Sequence, residues 1–236
     1  MKDLKELCRE FVQRNSAGLD ASHDISHIDR VVANAKKIYA LSDSPTREMV
    51  DVNILIAISS LHDSFDHKYF TTEAAVEEAK SKVSCFLETE CMQPPETIRM
   101  IIEVIEKMGY TAEMASRNGA SSMSDMTRCY LNIVQDADRL DAIGAIGISR
   151  CFAFTGAFGR PIITEEGLDE SQQRNALREG SLQPTAQKGP SAISHFYDKL
   201  VFLKDLLKTP AGKILGEKRH NFMLHYLDEF FDEINV

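Results

Sequence analysis

Apolar residues recur along most of the chain with the spacing of an α-helix. Leu4, Leu7, Cys8, Phe11 and Val12 fall at i, i+3, i+4, i+7 and i+8, and Ile28, Val31, Val32, Ala35, Ile38 and Tyr39 repeat the pattern. Ser44-Pro45-Thr46 is a break, after which the apolar stretch from about Arg47 to Leu61 predicts a more deeply buried helix. Further helices are predicted over 71–90 and from Pro95 to Met108, with Pro94-Pro95 suiting a helix start. The stretch 109–124 has no clean period and reads as a loop or insertion, and from Asp125 one long apolar pattern runs to about Phe154. Residues 155–190 are polar and turn-rich, the texture of a long connection or a lid. Two helices, roughly 191–208 and 210–234, close the chain. No convincing alternating segment argues for a sheet, so the pattern predicts an all-α protein.

Composition adds limits. The 236 residues, 43 % hydrophobic and 27 % charged, suffice for a sizeable core, and no compositional shift marks a boundary, so a single domain over 1–236 is expected. A net charge of −9 argues against a nucleic-acid duplex or an acidic membrane surface as partner, but leaves room for a small phosphorylated substrate. No apolar run is long enough to span a bilayer, and Met1 to Glu6 lack the apolar stretch of a secretory signal. The five cysteines form no CxxC pair, which suits free thiols in a reducing compartment and predicts a cytoplasmic location.

Three polar clusters lie directly against apolar sequence. His23-Asp24 precedes His27, His62-Asp63 ends the run Ile54 to Leu61, and Gln135-Asp136-Ala137-Asp138-Arg139-Leu140-Asp141 follows Leu131-Asn132-Ile133-Val134. Singly, each has an ordinary explanation: a capping pair, a first-turn acid, a solvated helix face. Together they place costly carboxylates beside core residues three times, and buried carboxylates need a cation or a partner. Neighbouring residues on a helix point about 100° apart, so His62 and Asp63 can serve one site only near a helix end or across a shared groove.

These clusters resemble the HD-domain metal-dependent phosphohydrolases, whose signature of a histidine, a His-Asp dipeptide and a distant aspartate reads here as His27, His62-Asp63 and Asp138. The wording is similar to the small bacterial-type HD hydrolases of the YpgQ/YedJ kind through Ser22 to Val31, Leu61 to Lys68 and Gln135 to Ala145, and onward through Gly159 to Ile162, His195 to Leu200 and Arg219 to Met223. The departure is the longer, more polar stretch at 109–126. The resemblance implies a single-domain HD-domain/PDEase-like helical fold, with a metal-binding core at about 20–145, a possible lid at 155–190 and C-terminal helices at 191–236. It implies one divalent ion (Mn²⁺, Fe²⁺, Ni²⁺, Zn²⁺ or Mg²⁺) on His27, His62, Asp63 and Asp138, a mixed nitrogen and oxygen set that leaves positions open for water and phosphate. No histidine occurs between His67 and Asp138, which favours one metal over two.

Other residues carry two explanations each. Asp66 is a general base or an orienter of His62, or simply a helix-terminal acid; Lys68 is a phosphate contact or an exposed lysine; His23 bonds the substrate or leaving group, or caps a helix. Arg139 and Asp141 are expected to brace the helix that carries Asp138. The function implied is metal-dependent hydrolysis of a nucleotide, either of a triphosphate to monophosphate and pyrophosphate or as a related phosphohydrolase. One alternative is a non-catalytic metal- or nucleotide-binding regulatory module. A weaker one is a zinc-peptidase-like enzyme built on His23-Asp24-Ile25-Ser26-His27, which leaves His62-Asp63 and Asp138 without a role.

Overall fold

The computed structural model describes residues 3–15, 25–66, 70, 72–109, 123–164, 168–185 and 189–234. His23, Asp24, His67, Lys68 and most of the 109–126 insertion lie outside the described residues. All regular structure among the described residues is helical: α1 (Leu4–Asn15), α2 (Ile25–Leu41), α3 (Ser44–Met49), α4 (Val52–Leu61), α5 (Glu73–Thr89), α6 (Pro95–Glu106), α7 (Asp125–Asp141), α8 (Gly144–Ala157), α9 (Leu168–Arg178), α10 (Ala192–Asp198), a 3₁₀ helix (Leu200–Leu206) and α11 (Pro210–Ile234). The contacts group into two compact units: α1 through Ala137 of α7, and Asp138 through α11. No single helix among the described residues is long and apolar enough to cross a membrane.

The first unit is built around α4. All seven residues from Leu55 to Leu61 are buried, because α1, α2 and α6 all pack on this helix. Leu55, Ile58 and Leu61 are wholly inaccessible, and burying each such side chain contributes roughly 1.5–3 kcal/mol. The expected helix over 47–61 is instead two helices. Val50 is the C-cap of the first and Asp51 caps the second, its carboxylate accepting from Asn53 N–H at 2.7 Å, while the Tyr130 hydroxyl accepts from Asp51 N–H at 2.8 Å. From α7, Gln135 donates to the carbonyls of Lys107 and Met108 at the end of α6, and Asn34 of α2 donates to Ala137 O at 3.1 Å.

In the second unit α11 packs on α8 and on the 3₁₀ helix, and α10 packs on α8, α9 and the 3₁₀ helix. The apolar pattern from Asp125 breaks at Ala142-Ile143, so the expected long helix is α7 followed by α8. Gly144 has φ +76°, and a Cβ there would stand 2.9 Å from Arg219 Cβ, so both backbone and space require glycine. Arg219 donates to Leu140 O, Arg139 to Leu206 O at 2.6 Å, and Arg150 pairs with Asp141 at 2.9 Å. Arg139 and Asp141 thus brace the end of α7, as expected. Of the aromatic stripe on α11, Phe231 is buried and Tyr226 meets Phe152 edge to face, whereas Phe222 is exposed and not part of the core.

The polar 155–190 stretch is not without structure: α9 forms within it, although 165–167 and 186–188 lie outside the described residues. What holds it is a buried carboxylate. Glu170 is fully inaccessible, accepting from Thr164 Oγ1 and Ser191 Oγ, each at 2.7 Å, and from Thr164 N–H at 3.2 Å. Arg174 lies over the Phe231 ring at 4.9 Å and donates to Asp228 and Asp232. Burial pushes the Glu170 carboxyl up, but its hydrogen bonds from Thr164 and Ser191 outweigh that and hold it below its ordinary 4.5. The stabilisation is therefore complete above the ordinary value and is lost as pH falls through the lower folded-state value. Replacing Glu170 with Gln should cost about 1–3 kcal/mol at neutral pH and flatten the acid limb of stability against pH, measured by urea denaturation between neutral pH and about pH 3.

Candidate metal centre

The chemistry begins where α4 ends. Leu61 is its last helical residue, His62 is the C-cap (φ −57°, ψ −29°), and Ser64 N–H closes the following turn onto Leu61 O at 2.9 Å. The dipeptide thus sits at the end of the helix and not within it. His62 Nδ1 lies 2.8 Å from Ser59 O, one turn back. A carbonyl only accepts, so Nδ1 carries the proton and, in the neutral ring, Nε2 carries the lone pair. His27 lies in the first turn of α2 on the buried stripe of His27, Val31, Asn34 and Ile38, and α2 packs on α4.

These three residues converge. The two imidazole centroids are 5.2 Å apart with planes at 70°. Asp63 Oδ2 is 3.7 Å from His27 Nε2 and 3.5 Å from His62 Nε2, and the possible ligand atoms of His27, His62 and Asp63 all lie within 4.8 Å of one another. Donors about 2.0–2.2 Å from a common cation stand roughly 3–4 Å from one another, so the spacing fits ligands around one ion better than direct hydrogen bonds. Burial agrees: His27 and His62 are 1 % and 4 % exposed, the Asp63 side chain 13 %. A carboxylate so enclosed is costly without a compensating positive charge. The residues present can hold a divalent cation through two nitrogens and a carboxylate oxygen.

The remaining sequence candidates are distributed as follows. Asp66 is half-buried just after the turn, its N–H reaching Asp63 O at 3.4 Å and its carbonyl accepting from Phe70 N–H. Asp138 is half-buried on α7 immediately after Ala137. His23 and Lys68 are outside the described residues. Two features escape the sequence. The Ser59 carbonyl that sets the His62 tautomer has no side-chain signal, and Asp136, fully inaccessible on α7, is more deeply buried than Asp138. Beside Asp63 and Ser64 a cleft of about 190 Å³ opens, walled by Phe11 and Val12 of α1, Phe70, and Val83 of α5, with Asn15 and Lys82 also lining it.

No protein-family model matches the chain. The chain is 30 % identical to the YpgQ protein of Bacillus subtilis over 99 % of its own length and 96 % of that protein's. It belongs to the YpgQ-like family of HD-superfamily hydrolases. The solved structure of B. subtilis YpgQ in complex with ADP is similar with a TM-score of 0.67 and 30 % identity, covering 98 % of this chain and 97 % of that one. An HD-superfamily hydrolase from Bacillus thuringiensis is similar with a TM-score of 0.66, 30 % identity and the same coverage. The expected all-α HD-type fold is borne out.

If His27, His62 and Asp63 share one cation, Asp63→Ala should weaken retention of a divalent metal by at least about a hundredfold. Metal content after dialysis, read beside far-ultraviolet circular dichroism, checks this; the helical signal should be unchanged, because Asp63 lies beyond the end of α4.

Proposed function

We propose that this HD-superfamily hydrolase is a metal-dependent phosphohydrolase acting on a nucleotide. The observation that carries the reading is the convergence of two buried imidazoles and a carboxylate on one point at the end of α4. The ADP bound to B. subtilis YpgQ supports a nucleotide as the substrate class. Asp138 joins the three as the fourth ligand in this reading. When bound, a divalent cation supplies Lewis acidity toward water and toward phosphate oxygens.

The chain's own residues do the rest. Ser59 O holds the His62 ring in one tautomer, so that its nitrogen donor needs no reorientation. Asp63 supplies negative charge against the cation. Asp66, half-buried and three residues on, accepts the proton from the attacking water. Lys68 contacts phosphate, and His23 bonds the substrate or the leaving group.

The test is product analysis with Mn²⁺ across nucleoside mono-, di- and triphosphates, separating phosphate from pyrophosphate. Turnover of at least one nucleotide is expected, falling by about 10³-fold or more in His62→Ala and Asp63→Ala. Asp66→Asn should lower kcat by about 10²- to 10⁴-fold while metal content stays at the wild-type level. Metal bound at full occupancy with no turnover of any nucleotide would instead make this a non-catalytic binding module.

A further inference from the structure

The cleft beside Asp63 lies wholly within the first unit. Asp63 and Ser64, from the turn after α4, line it, so it borders the metal-capable group directly. Most of the remaining wall is apolar: Phe11 and Val12 of α1, Phe70, and Ala79 and Val83 of α5. Two of these side chains are held in advance. Phe11 stacks on Phe86 at 4.3 Å between centroids, and Phe70 N–H donates to Asp66 O at 3.2 Å. The volume of about 190 Å³ is below the roughly 300–1,000 Å³ of a site for a whole small ligand, and suits a single ring system.

Charge narrows the occupant further. Among the described residues that line the cleft, Asp63 and Glu78 are carboxylates, and the Lys82 ammonium is already paired with Glu78 at 2.7 Å. A phosphate placed there would meet two carboxylates and an ammonium that is already neutralised. A flat uncharged ring would meet aromatic and aliphatic carbon, the surroundings in which bases stack. One polar group suits the edge of such a ring. Asn15, the last residue of α1, donates one amide N–H to Phe11 O at 2.8 Å, which orients the amide and leaves its oxygen and second N–H as an acceptor and donor side by side. A base edge such as adenine's, an amino group beside a ring nitrogen, is the complement of that pair.

We infer that this cleft is the nucleobase subsite of the nucleotide site, with Phe11, Phe70, Ala79 and Val83 enclosing the ring and Asn15 bonding its edge. The phosphates then lie toward His27, His62 and Asp63. The inference rests on the nucleotide reading proposed above. A base seated against Phe70 also rests on the segment that carries Asp66, so base recognition and the proposed proton acceptor share one stretch of chain.

The test uses the full-length, Mn²⁺-loaded protein and two ligands, α,β-methylene-ADP and methylenediphosphonate, which keeps the paired phosphonates and lacks the nucleoside. Ala79→Leu, which fills the cleft, should weaken α,β-methylene-ADP at least about tenfold by calorimetry and change methylenediphosphonate by less than about twofold. Asn15→Ala, at an exposed position, should weaken α,β-methylene-ADP about threefold to tenfold. In the wild type, 8-azido-ADP should photolabel peptides carrying Phe11 to Asn15 or Phe70 to Val83, a readout that does not depend on how either variant folds. Label confined to other peptides, equal weakening of both ligands, or wild-type affinity in both variants would overturn the inference. Nucleotide turnover with the label elsewhere would sink the cleft alone, whereas labelling in the cleft with no nucleotide turned over would support the cleft and sink hydrolysis alone.

Discussion

A single hydrogen bond, from His62 Nδ1 to Ser59 O, links the packing of α4 to the chemistry at its end. α4 is enclosed by three other helices, so packing holds Ser59 in place and its carbonyl orients the imidazole. His27 is fixed just as firmly because its stripe on α2 packs against the same helix. Asp63 completes the group because the helix stops just before His62. The cost of burying these groups is concentrated at one place, where a cation can offset it.

Polar contacts elsewhere hold the helices within each unit. Asp51 and Tyr130 set where α4 starts, and Gln135 closes the end of α6, which packs on α4. Asn34 ties α2 to Ala137, the residue before Asp138. In the second unit, Arg139, Arg219 and Arg150 anchor the end of α7 through backbone carbonyls and Asp141. Apart from the exposed Asp51, each of these is a buried or half-buried polar residue whose partner is a specific backbone or carboxylate group, the arrangement that gives a buried polar group a net benefit.

Much of this is legible in the sequence because helical periodicity records which face is buried. The stripes of α1 and α2 are plain, and so is the unusual position of His62-Asp63 at the end of an apolar run. What escapes is decided by partners far along the chain. Asp51 looks like any acid until Tyr130 meets its backbone, so the break before α4 is invisible. α9 has no apolar stripe to announce it, since a buried Glu170 and an arginine over an aromatic ring hold it. The break between α7 and α8 falls at Ala142-Ile143, where only Gly144 hints at it, and the contact that requires glycine there is with Arg219, far along the chain.

The central claim is that His27, His62 and Asp63 are ligands of one metal ion. Anomalous diffraction from crystals of the Mn²⁺-loaded protein, collected near the manganese edge, tests it directly. One strong peak is predicted within about 2.0–2.3 Å of a nitrogen of His27, a nitrogen of His62 and an oxygen of Asp63. A fully loaded protein whose anomalous peak lies away from all three residues would contradict the account.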